Sequence, residues 1–154
     1  MALAAAAVPA SARVLAASGS WAAVERNSGR SCEALSRSEI LARKGREQAR
    51  ATFSFDRSAA RRGQLYLVLS RPARPGAKAL LSVADQTFLL ATRGNHAWSR
   101  GPDQEAAIMT AVRRATDMRV RVRDSAGRGF SDRYLLPGAP TAIDAAAAAC
   151  APGM

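Results

Sequence analysis

Between Met118 and Leu136 the chain reads Met-Arg-Val-Arg-Val-Arg, then Asp-Ser-Ala-Gly, then Arg-Gly-Phe-Ser-Asp-Arg-Tyr-Leu-Leu. Apolar and basic residues alternate strictly through the first six positions. A strand sends successive side chains to opposite faces, so Met118, Val120 and Val122 share one face and Arg119, Arg121 and Arg123 the other. A helix would scatter both sets around its axis. Asp124-Ser125-Ala126-Gly127 between two such runs predicts a hairpin connection. Pro137-Gly138-Ala139-Pro140 then stops the second strand, and an alanine-rich segment from Thr141 to Ala149 predicts a short C-terminal helix ending at Cys150.

Other stretches also read as strands. Gly19 to Val24, Cys32 to Leu35, Ala51 to Phe55 (alternating in part) and Gln64 to Ser70 (a near-continuous apolar run) have strand length and strand composition. Lys78 to Val83 and Gln86 to Leu90 flank Ala84-Asp85, a two-residue hairpin turn. Trp21 is expected in the core. The region 36–50 predicts a loop with at most one helical turn. Arg93 to Pro102 predicts a polar loop. One long helix is expected around 103–115, with Ala107, Ile108, Ala111, Val112 and Ala115 on one face. In the C-terminal helix, Thr141 is a candidate cap, with Asp144 as the carboxylate of a capping box. Strands outnumber helices and do not alternate with them. The expected fold class is therefore mainly β, an antiparallel β-sandwich with these two helices.

The 154 residues suffice for one domain. The predicted division is a signal-peptide remnant or leader at 1–18, a single β domain at 19–150 and a tail at 151–154. Leu3 to Pro9 is a short apolar run, and Ala10-Ser11-Ala12 matches the small-x-small cleavage pattern of exported proteins. No apolar run reaches the roughly 20 residues that a spanning helix needs. Cys32 and Cys150 stand near the two ends of the domain. Two thiols and a single histidine make no zinc site. In an exported chain the two cysteines read as one disulfide; in a reducing compartment they would stay free.

The formal charge is +11, and all but Lys44 and Lys78 of the 23 basic residues are arginine. One reading is a polyanion partner, with Arg119, Arg121, Arg123 and Arg133 as a basic stripe on one face of the hairpin. The other is a solvated sheet face in a chain whose arginine and alanine follow base composition. Chemistry-bearing motifs are missing: there is no GxSxG, HExxH, phosphate-cradling glycine loop or GxGxxG. His96, Ser99 and Asp103 fall within eight positions, a weak triad signal that a locally packed loop explains as well. The expectation is a non-enzymatic protein with no cofactor, no metal and no catalytic residue.

The run from Ser125 to Gly138 resembles the C-terminal signature of invasion-associated locus B proteins. Arg128-Gly129, Asp132, Tyr134, Leu136 and Gly138 fill the places of that family's string, and the alanine-rich helix follows. The early Trp21 and Cys32 also resemble the family. Leu135 stands where the family often has a small polar residue, and the mid-chain cysteines of many members are missing. The resemblance implies an exported bacterial protein of the periplasm or cell envelope with a β-sandwich-like domain. It names no partner; an envelope component and, from the charge, an anionic polymer are the candidates. It carries over no site residue.

Overall fold

The computed structural model describes residues 12–153. The strands are β1 (Arg13–Ser18), β2 (Trp21–Arg26), β3 (Ser31–Arg37), β4 (Arg50–Asp56), β5 (Arg62–Val68), β6 (Ala79–Val83), β7 (Gln86–Arg93), β8 (His96–Trp98), β9 (Asp117–Arg123) and β10 (Gly129–Leu135). The helices are α1 (Pro102–Val112) and α2 (Ala139–Ala149). The fold is mainly antiparallel β, as the alternation requires. The strands form one ladder in the order β1-β2-β3-β4-β5-β8-β7-β6-β9-β10.

The sandwich expectation anticipates two sheets, and here the two halves are one. Strand β7 is the reason. Its residues Gln86 to Leu90 pair with β6, and Ala91 to Arg93 pair with β8. A strand that belongs to both halves makes a corner between them.

Local periodicity explains most strands. On β9, Met118, Val120 and Val122 are buried while Arg119, Arg121 and Arg123 are exposed. On β5, Leu65 and Leu67 point inward. These residues join Trp21, Phe53, Leu81, Tyr134 and Ile143 in one core cluster. Trp21 is buried, as expected. Its indole N–H donates to the Leu135 carbonyl at 2.8 Å, and its ring lies 5.9 Å from that of Phe53. A buried tryptophan needs such a partner for its one donor. Helix α2 lies against β1 to β5, and α1 lies against β5, β6 and β7.

Three expectations about element boundaries need correction. Residues 13–18 of the presumed leader form β1, which pairs with β2 across the Gly19-Ser20 turn. Their short alanine-rich run hides a strand because it is made by pairing with β2 and contact with α2, not by the segment's own pattern. The rest of the presumed leader, with most of the cleavage motif, lies outside the described residues. The polar loop 93–102 contains β8, whose three residues are held by ladders on both sides, to β5 and to β7. Helix α1 ends at Val112, three residues before the expected 115.

Helix α2 starts at Ala139, with Gly138 in the left-handed region at its N-cap and Pro140 in the first turn. Proline is tolerated there because the first N–H groups have no intrahelical acceptor. Thr141 is therefore inside the helix and caps nothing. Asp144 does not close a capping box; it pairs with Arg113 beyond the end of α1. Among the described residues no helix is long and apolar enough to cross a membrane.

Candidate polyanion-binding groove

The basic stripe expected on the hairpin divides in two. Register sets Arg119 directly opposite Arg133 of β10 and Ser82 of β6. Two guanidinium groups face to face on one sheet surface repel each other. Arg133 is relieved of this by two carboxylates. Its Nε donates to Asp117 and its Nη1 to Glu39, both at 2.8 Å. These bonds, Asp117 first, hold the guanidinium further toward its charged form than usual. Arg133 is thus a paired residue of the scaffold, and its charge is spent.

Arg121 and Arg123 have a different setting. Arg121 faces Ser131 and Leu80, and Arg123 faces Gly129. Both line an open groove of about 690 Å³, together with Arg74, Lys78, Leu80, Val122, Phe130 and Ser131. Arg74 and Lys78 come from the 71–78 loop before β6, which runs back along the end of β9. That loop cannot drift: the Arg74 amide donates to the Arg123 carbonyl at 2.8 Å, and Ala73 forms an isolated bridge with Asp124. The four cations are therefore fixed at the backbone level on two segments distant in sequence.

The electrostatics favour an anion. No described residue lining the groove is acidic. Among the described residues, none of Arg74, Lys78, Arg121 and Arg123 has a carboxylate within salt-bridge distance. Asp124, which follows Arg123 in sequence, is committed elsewhere. It accepts from the backbone N–H groups of Arg128 and Ala126, which close the hairpin turn, and from Arg71 at 3.5 Å. The Arg128 amide in particular holds its carboxyl below the usual range. Leu80 and Phe130 supply an apolar component, and the Arg71 guanidinium stands 5.8 Å over the Phe130 ring. Such a trough can accept successive phosphate, sulfate or carboxylate groups, with arginine forks giving paired hydrogen bonds.

The triad candidates are not brought together as a triad. Ser99 is buried; its hydroxyl accepts from the Leu65 amide at 3.0 Å and donates to the buried Glu105 carboxylate. His96 hydrogen-bonds through Nδ1 to the Tyr66 hydroxyl, and the two rings stack at 5.5 Å. Asp103 lies in the first turn of α1. Among the described residues no cluster of His, Cys, Asp and Glu could hold a metal ion.

Cys32 and Cys150 form the expected disulfide, with Cα atoms 5.8 Å apart, joining β3 to the end of α2. Arg57 reinforces this closure by donating to the carbonyls of Gly29 at 3.0 Å and Ala149 at 2.8 Å.

Alternation alone found Arg121 and Arg123. It missed Arg74, Lys78 and Phe130, although a loop with two arginines, two prolines and a following lysine was a signal of a rigid cationic segment. No protein-family model, curated protein or solved structure matches this chain.

Proposed function

We propose that this protein is a non-enzymatic interaction domain of the periplasm or cell envelope, and that it binds an anionic polymer along the groove. The observation that carries the reading is the convergence of Arg74, Lys78, Arg121 and Arg123 without a carboxylate partner. Surface cations are usually either paired or spread apart; four gathered and left unpaired repel one another until an anion arrives. The groove is an open trough with a partly apolar lining, which suits an extended chain of anionic units better than one compact ion. The disulfide supports an oxidising location, where such bonds persist. The resemblance to the invasion-associated locus B family supports the same compartment. Of the residues that fill its string, Gly129 lies in the groove wall.

Titration of labelled protein with a short heparin oligosaccharide, followed by amide NMR shifts, tests the reading. The expected shifts concentrate at 74–80, 121–123 and 129–131. Shifts spread evenly over the arginines of the whole surface, or confined to another face, would overturn it.

A further inference from the structure

The loop between β3 and β4 presents a second surface of different chemistry. Ile40 and Leu41 are 79% and 60% exposed. Large aliphatic side chains this bare, and adjacent, are uncommon outside contact surfaces. Every residue from Glu39 to Glu47 is exposed, so the segment stands off the sheet as a protrusion.

The protrusion is built. Gln48 reaches into it and holds both sides: its Oε1 accepts from the Ala42 amide at 2.7 Å, and its Nε2 donates to Ser38 Oγ at 2.9 Å and to the Ile40 carbonyl at 3.2 Å. The Ser38 hydroxyl, itself buried, also donates to the Ile40 carbonyl. The Arg46 amide donates to Arg43 to close the tip, and the Glu39 amide donates to Arg133 of β10. The backbone around Ile40 and Leu41 is therefore set before anything binds.

Charge flanks the apolar pair in sequence. Arg37, Arg43, Lys44 and Arg46 lie within nine positions of one another, all exposed. Among the described residues none of them has a salt-bridge partner. The two acids of the loop are neutralised elsewhere. Glu39 pairs with Arg133 at 2.8 Å, and Glu47 is held by Arg50 at 3.8 Å and Asn95 at 2.9 Å. Two exposed aliphatic side chains, with four unpaired cations on the same loop and the strand end beside it, match the chemistry of an anionic bilayer surface. The aliphatic groups enter the boundary between headgroups and chains, and the cations meet the phosphates.

We infer that the 37–46 loop docks this protein on anionic lipid bilayers through Ile40 and Leu41, with Arg37, Arg43, Lys44 and Arg46 on the headgroups. The inference stands apart from the groove, which lies on other segments and has its own ligand.

Co-sedimentation with vesicles tests it. The probes are vesicles of phosphatidylglycerol and phosphatidylcholine in equal amounts, and vesicles of phosphatidylcholine alone. The expected result is binding to the mixed vesicles and at least about tenfold weaker binding to the neutral ones. The double substitution Ile40→Ser and Leu41→Ser removes only exposed side chains. It should weaken binding to the mixed vesicles by about tenfold or more while heparin binding stays unchanged. Arg43→Ser with Lys44→Ser should weaken vesicle binding as well. No binding to the mixed vesicles, equal binding to the neutral ones, or full binding by the Ile40/Leu41 variant would overturn the inference. Vesicle binding lost only when Arg121 and Arg123 are replaced would overturn it too, by assigning the membrane to the groove.

Discussion

Gly19 and Gly138 occupy facing turns whose backbones touch. A Cβ on Gly138 would lie 1.9 Å from the Ser18 carbonyl oxygen, and one on Gly19 would lie 2.1 Å from the Pro137 carbonyl oxygen. The β1–β2 turn and the turn that launches α2 are thus locked backbone to backbone. Both glycines also have positive φ. Gly138→Ala should cost roughly 3 kcal/mol or more, because the clash adds to the left-handed strain. Gly94→Ala, at φ 59° but facing open space, should cost only about 1–2 kcal/mol. Urea unfolding midpoints of the two variants check the difference. Equal losses would show that the turn–turn contact is not tight.

The Cys32–Cys150 bridge closes a loop with a sequence separation of 118. In the chain-entropy model such a loop stabilises by about 4–5 kcal/mol, as an upper figure. That is a large share of a typical domain's stability. Cys32→Ala with Cys150→Ala should lower the urea midpoint accordingly, and oxidised protein should resist thiol alkylation until reduced. Two labelled thiols in unreduced protein would contradict the bridge.

Asp56 accepts two hydrogen bonds from Arg61, from Nε and Nη2, each 2.8 Å. The Arg61 guanidinium holds the carboxyl below its ordinary value, against the opposing effect of burial. A folded-state pKa below the unfolded one gives stability that is present above the unfolded value and is lost as pH falls through the folded one. Asp56→Asn should therefore cost up to about 1 kcal/mol near neutral pH, the pair being partly exposed. The gap should close below about pH 4. Thermal melts across that range check it; a constant gap would assign the loss to packing.

Ser99 and His96 should separate in their effects. Ser99→Ala leaves the buried Leu65 amide and the Glu105 carboxylate without a partner, a loss of about 2 kcal/mol or more. His96→Ala removes a half-buried ring that stacks on Tyr66 and hydrogen-bonds its hydroxyl at the surface, and should cost about 1 kcal/mol at most. Polyanion binding should survive both. A selective loss of binding in His96→Ala at unchanged stability would place that ring in the site.

What could be read from the sequence was local. The β9–β10 hairpin follows from alternation over a few residues and from its turn, and the β6–β7 hairpin from the two-residue turn between strand-like runs. Strand β8 could not be read this way: three polar-flanked residues become a strand only because β5 and β7 lie on either side. The groove was half legible. Alternation exposes Arg121 and Arg123, but Arg74 and Lys78 reach them only through the Arg74–Arg123 backbone bond. Arg133 is neutralised partly by Glu39, 94 residues away, so its removal from the stripe is a tertiary event. The C-terminal helix was legible in composition and not in its start, since a left-handed glycine rather than Thr141 begins it.

The groove itself is tested most directly by the salt dependence of binding to a short DNA duplex used as a model polyanion. The fourfold substitution of Arg74, Lys78, Arg121 and Arg123 by serine removes the groove's cations, and with them the exposed bond from Arg123 to the Gly127 carbonyl, and Arg119→Ser serves as the control. Each cation that meets a phosphate contributes about −0.9 to the slope of log K against log salt. The expected result is a slope flattened by roughly 3 to 4 in the fourfold variant, and by at most about 1 in the control, at unchanged unfolding midpoints. A fourfold variant that keeps the wild-type affinity and slope would contradict the groove as the binding site.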